Sequence, residues 1–84
     1  MDQQILSDLA GDLELRLPNA LERITASLKD ETFRETCLDY EECVKCLRYW
    51  TETATDRPER GEEYRRTSVA LQEEILGYLR GQQN

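Results

Sequence analysis

The chain reads as an all-α protein. An antiparallel helical hairpin is covered by a kinked N-terminal helical segment, giving a three- to four-helix bundle in a single domain, residues 1–84. Three observations predict this. Phe33, Cys37, Tyr40, Val44, Leu47 and Thr51 recur at steps of three and four, the spacing of a helical seam. Tyr64, Ser68, Leu71, Ile75 and Tyr78 form a second seam, flanked by Leu79. Between them stands one short break, Thr55-Asp56-Arg57-Pro58. A short loop between helices of similar length makes them antiparallel neighbours.

The elements follow in order. Ile5, Leu6, Leu9, Leu13 and Leu17 lie within about one third of a helical circumference, an amphipathic face. Pro18 interrupts it, because its ring removes a backbone donor and biases Leu17 away from the helical region. Two helices are therefore expected, about residues 3–16 and 18–28, the second with Leu21, Ile24 and Leu28 inward. Leu13, Leu15 and Leu17 also alternate with Glu14 and Arg16 like a strand, but five residues without a partner strand are a weak signal.

The next helix is expected from Asp30 as N-cap, with Glu31 in the first turn, to about Thr53. The last should run from about Arg57 to Leu79. Asp56 and Glu59 resemble a capping box, and Pro58 suits a first helical turn. Gly61 and Gly77 weaken its two ends, by about 1 kcal/mol each relative to alanine. Gly81 to Asn84 reads as a frayed tail.

Composition removes several function classes. The chain carries 18 acidic and 11 basic residues, a formal net charge of −7. Nucleic-acid backbones and anionic membrane surfaces both require a basic face, so neither is an expected partner. Arg57, Arg60, Arg65 and Arg66 are the only basic concentration, and acidic residues are interleaved with them. No apolar run reaches the length of a membrane span. The opening Met-Asp-Gln-Gln-Ile-Leu-Ser-Asp has neither the basic nor the apolar region of a signal peptide, and a cytoplasmic location is expected. The three cysteines fit reduced thiols there. There is no histidine, so Ser7, Ser27 and Ser68 lack the usual base of a hydrolase triad. No glycine-rich phosphate loop occurs.

Cys43 and Cys46 form C-x2-C, a spacing that elsewhere binds zinc or performs redox chemistry. Here both fall inside a helix, and Cys37 lies on its far side at about 100° per residue. A tetrahedral zinc site would need ligands that this sequence does not offer within one chain. Cys43 and Cys46 from each of two chains is the one arrangement that geometry allows. The plainer expectation is packing: Cys37 and Cys43 as small core residues, Cys46 at the core's border. No metal or cofactor is expected.

Glu35, Asp39 and Glu42 stand at i, i+4 and i+7, on one face of the same helix. Such carboxylates can meet an arginine-rich partner, hold a cation, face solvent, or pair with Arg60, Arg65 or Arg66. The di-iron bundle motif, Glu-x-x-His, is absent. Tyr40 and Trp50 belong with the seam as core aromatics. Leu38 and Tyr49 lie roughly opposite Phe33. Either the N-terminal segment covers them or another chain does.

Phe33-Arg34-x-x-Cys37-x-Asp39-Tyr40-Glu41-x-Cys43, then Trp50 and Glu63-Tyr64-Arg65, resembles a group of small bacterial helical proteins with no assigned activity. The resemblance covers about residues 30–79. It implies a bacterial cytosolic helical hairpin and carries no site residue over.

The expected function is a small acidic helical protein-interaction module: an adaptor, regulator or assembly partner without enzymatic activity. Leu38, Tyr49, Glu35, Asp39 and Glu42 are the expected partner-binding residues, and no catalytic residue is assigned. The partner is another protein, and the isolated chain is expected to be a homodimer. The alternative is a thiol-based redox or metal-responsive protein using Cys43 and Cys46.

Overall fold

A computed structural model describes residues 1–81. Four α-helices follow in order: α1 Gln3–Leu13, α2 Ala20–Ser27, α3 Glu31–Arg48 and α4 Pro58–Gly81. Among the described residues there is no strand. The expected tail at 82–84 lies outside them, and Gly81 is the last residue of α4.

α1 begins at Asp2, whose carboxylate accepts from the backbone N–H groups of Gln4 (2.9 Å) and Ile5 (3.1 Å). Ile5, Leu6, Leu9, Ala10 and Leu13 are its buried face. Leu13–Leu17 is a helical turn, not a strand. The N–H groups of Arg16 and Leu17 both donate to the Leu13 carbonyl at 2.9 Å. Leu13 and Leu17 are buried while Leu15 is 98% exposed.

The break at Pro18 is wider than expected, and α2 starts at Ala20 rather than 18. Asn19 takes the left-handed conformation, φ 61°, which asparagine tolerates better than most residues. Its side chain does not cap α2. The Glu14 carboxylate does, accepting from the N–H groups of Asn19 (3.1 Å) and Ala20 (3.2 Å). Ile24 is fully buried and Leu28 packs against the core, but Leu21 is exposed, contrary to its expected inward placing.

α3 is capped as expected. The Asp30 carboxylate accepts from Phe33 N–H at 3.1 Å and from the Tyr78 hydroxyl at 3.0 Å. These two bonds hold the Asp30 carboxyl below its usual range. The helix reaches Thr53, but its last five residues, Tyr49–Thr53, widen into a π-helical turn. Ala54 N–H closes it on the Tyr49 carbonyl at 2.9 Å. α4 starts with Pro58 in the first helical position. The Arg57 carbonyl accepts from Arg60 N–H at 3.1 Å, which places the helix entrance one residue later than the Asp56 box predicts.

α3 and α4 form the expected hairpin. α1 lies across it. Asp2 N–H donates to the Glu41 carboxylate at 3.1 Å, while Asp12, ten residues on, meets Gln72, which also donates to the Tyr40 hydroxyl. The far end of α1 thus reaches α3 through Gln72 of α4. Arg16 then ties the connecting turn to Glu73 of α4 at 2.9 Å.

The core sits where α1 and α2 cover the hairpin: Leu9, Leu13, Leu17 and Ile24 against Phe33, Cys37, Ile75, Leu76 and Leu79. Burying one such aliphatic side chain contributes about 1.5–3 kcal/mol. More than half of the buried apolar residues come from the segment before Asp30. Toward the hairpin tip the seams loosen, and Val44, Leu47, Tyr64 and Leu71 are only half-buried.

Candidate interaction face and groove

Leu38 and Tyr49 are 44% and 52% exposed, so α1 and α2 do not cover them. α1 meets α3 on another side, through Glu41, which accepts from Asp2 N–H, and Arg48. Lys45 pairs with Glu41 at 3.2 Å and Arg48 reaches Asp8 at 3.6 Å. Eleven residues separate Leu38 from Tyr49, about 16 Å along the helix and nearly one direction from its axis. Tyr49 packs edge-on against Trp50, centroids 5.2 Å apart, and Trp50 lies 5.9 Å from the Arg60 guanidinium.

Glu35, Asp39 and Glu42 are all exposed, on the same outward side of α3. None of them is in an ion pair among the described residues. The arginines expected to neutralise them are engaged within α4: Arg60 with Glu63, and Arg65 and Arg66 with Glu62.

Beyond these carboxylates runs a surface groove between α3 and α4, about 430 Å³. Cys43, Cys46, Tyr64 and Leu71 form its floor, with Asp39, Glu42 and Thr67 at its edges. It lies on the side of the hairpin away from α1. Small residues explain it. Cys43 and Ser68 are buried where the helices meet, and neither has the bulk to fill the surface seam between them. The sequence placed Tyr64 and Leu71 in the core seam and Thr67 nowhere. The signal for the groove was this small pair, Ser68 in the α4 seam and Cys43 beside the α3 seam.

The thiols differ in setting. Cys37 is buried, and burial alone pushes its pKa up to about 11. The Cys43 thiol donates to the Tyr64 carbonyl at 3.2 Å, and burial raises its pKa as well. Cys46 is half-buried at the groove. Its charge when ionised, followed by burial, holds the Tyr64 hydroxyl above its ordinary range. All three cysteines are free. Among the described residues no three histidine, cysteine or acidic side chains converge as metal ligands. No helix there is long and apolar enough to cross a membrane.

No protein-family model matches the chain, and no curated protein or solved structure matches it significantly.

Proposed function

We propose that the protein is a non-enzymatic interaction module that presents the outward face of α3 to another protein in a reducing, cytoplasmic compartment. One observation carries this reading. Leu38 of α3 and Tyr49 of the π-helical turn that continues it are exposed beside Glu35, Asp39 and Glu42, three carboxylates with no ion pair among the described residues. An apolar centre with a charged border is the general composition of a protein interface. Glu35, Asp39 and Glu42 would set partner choice and encounter rate, while Leu38 and Tyr49 would supply the contact that desolvates.

The test compares affinity capture by the wild-type chain with capture by a Leu38→Ser/Tyr49→Ser variant. Both residues are exposed, so the variant should keep its helical circular dichroism. A protein captured stoichiometrically by the wild type and lost with the variant supports the face. Equal capture by both baits moves the contact elsewhere.

The thiol reading has one observation in its favour: Cys43 and Cys46 share the groove. Against it, the reactive form is the thiolate, and the environment of Cys43 favours the thiol. Thiol titration and metal analysis of protein purified without chelator decide this reading. One zinc per chain or per dimer, lost on Cys43→Ala/Cys46→Ala, would establish it.

A further inference from the structure

We infer that the α3–α4 groove is a receptor for a cationic amphipathic helix from another protein. The inference rests on the interaction-module reading and names the chemistry of the partner. Its first ground is shape. The groove lies on the face of the hairpin that α1 and α2 leave open, and its floor of Cys43, Cys46, Tyr64 and Leu71 is largely apolar. A fifth helix laid there would stand to the hairpin as α1 does on the other side. Helix-in-groove recognition needs such a floor, met by apolar residues at i, i+3, i+4 and i+7 of the ligand.

The second ground is charge. Asp39 and Glu42 border the groove along α3, and exposed Glu35 continues their helical face one turn earlier. On α4, Glu63, Thr67 and Glu74 follow at i, i+4 and i+11, one stripe to within about 40°. Thr67 lines the groove, so Glu63 and Glu74 flank it, and both are exposed. Carboxylates therefore run along both sides of an apolar trough. Of these, only Glu63 has an ion pair among the described residues, with Arg60 at 3.7 Å. A ligand helix with an apolar stripe flanked by lysine or arginine matches this pattern. A second copy of this chain, with net charge −7, does not.

The probe is a displayed library of helical peptides of about 18 residues. Each carries a fixed apolar stripe and flanking positions drawn from Lys, Arg, Glu, Asp, Gln and Ser. Selection on the full chain should enrich Lys and Arg at the flanks. The selected peptide should weaken as salt rises, and it should lose about tenfold in affinity on Asp39→Lys/Glu42→Lys. These are exposed positions, so folding is retained and is checked by circular dichroism. Location has its own readout. Cys46 is the one thiol here that is not fully buried, so bound peptide should slow its alkylation.

Enrichment without charge bias, or acidic enrichment, overturns the cationic ligand. Peptides that leave Cys46 alkylation unchanged but are lost on Leu38→Ser/Tyr49→Ser overturn the groove and retain the α3 face. A homodimer that protects Cys46 without peptide also overturns it, since the groove is then filled by a second copy. Failure of every peptide to bind, in a chain that still captures a partner through Leu38 and Tyr49, overturns the groove and leaves the interaction reading standing.

Discussion

Gly61 shows how a single side chain is settled by its neighbour. It is buried in the first part of α4, facing the π-helical turn. A Cβ there would stand 3.0 Å from the Thr51 methyl. That methyl is not free to turn away, because the Thr51 hydroxyl donates to the Leu47 carbonyl at 2.8 Å. Gly→Ala in a helix ordinarily gains about 1 kcal/mol. At this site we expect Gly61→Ala alone to bring no gain, the clash offsetting the propensity. In a Thr51→Ser background the methyl is gone and the hydroxyl kept, and about 1 kcal/mol should return. A double-mutant cycle by urea denaturation measures that coupling. Strict additivity would mean that the contact has no energetic consequence.

Burial of thiols sets a second expectation at this scale. Cys37 titrates near 9.0 as a free group and at about 11 in the fold, and the pKa values of Cys43 and Tyr40 are also raised, burial being the main cause in each. A group whose folded pKa is raised stabilises the fold below its unfolded pKa. The contribution is lost as pH climbs toward the folded one. Stability should therefore fall between about pH 9 and 11. Cys37→Ala should flatten that slope, because its protonation preference disappears with the thiol. Urea midpoints across this range read it out, and an unchanged slope would show that Cys37 is not the group responsible.

Among the elements, the helices expected from periodicity are the helices found, with Asp30 capping α3 as its position before the seam suggested. What periodicity concealed lies at the joints. Glu14 caps α2 from across a turn, a bond between residues five and six apart that no helical or strand repeat encodes. Leu76 is buried, yet it lies outside the α4 seam read from steps of three and four. It belongs to the core cluster shared with α1 and α2, and its burial became visible only once those helices were placed over the hairpin. Leu21 was assigned inward by the same arithmetic and is exposed, because the buried stripe of α2 runs through Ala20 and Ile24, i and i+4, and leaves Leu21 to one side. The α3 half of the candidate site was legible, since Glu35, Asp39 and Glu42 follow one helical repeat. The α4 half was not, because a groove depends on how two seams meet. Glu14→Ala removes the α2 cap and should cost about 0.5–2 kcal/mol, the range for losing a helix cap. Glu14→Gln should recover part of it, because the amide oxygen can still accept. Thermal unfolding of the two variants tests this, and equal losses would argue that charge rather than the accepted hydrogen bonds matters at Glu14.

For the whole molecule, the balance between core and surface differs from the one the seams suggest. The hairpin alone would offer 84 residues little to bury, and that shortage is one reason to expect a homodimer. In the fold, the segment before Asp30, α1 and α2 with Leu17 of their connecting turn, supplies more than half of the buried apolar residues and so makes up much of the shortage. Leu15, Leu21 and Val69 are exposed on other elements, and on the outward face of α3 the case for self-association rests on Leu38 and Tyr49. These are two side chains about 16 Å apart on an acidic face, far less than the apolar centre of a stable dimer. We therefore expect self-association to be weak, to appear at high protein concentration, and to strengthen with salt as the carboxylates are screened. Sedimentation equilibrium at low and high salt measures it. A 9.9 kDa species under both conditions would remove the homodimer and leave the face to a different protein.

The sole tryptophan is placed at the hairpin tip, away from the core that α1 and α2 cover. Trp50 is in the π-helical turn, with Tyr49 at its edge and Arg60 over its ring. Its emission is thus a local gauge, while amide dichroism averages over all four helices. Where the tip is the less stable part, the two signals will not share a melting curve. Fluorescence will change first, and the gap between the midpoints will measure how far opening at the tip precedes loss of the core. The chain thus carries an intrinsic optical label at one end, and unfolding that begins there can be followed without attaching a dye.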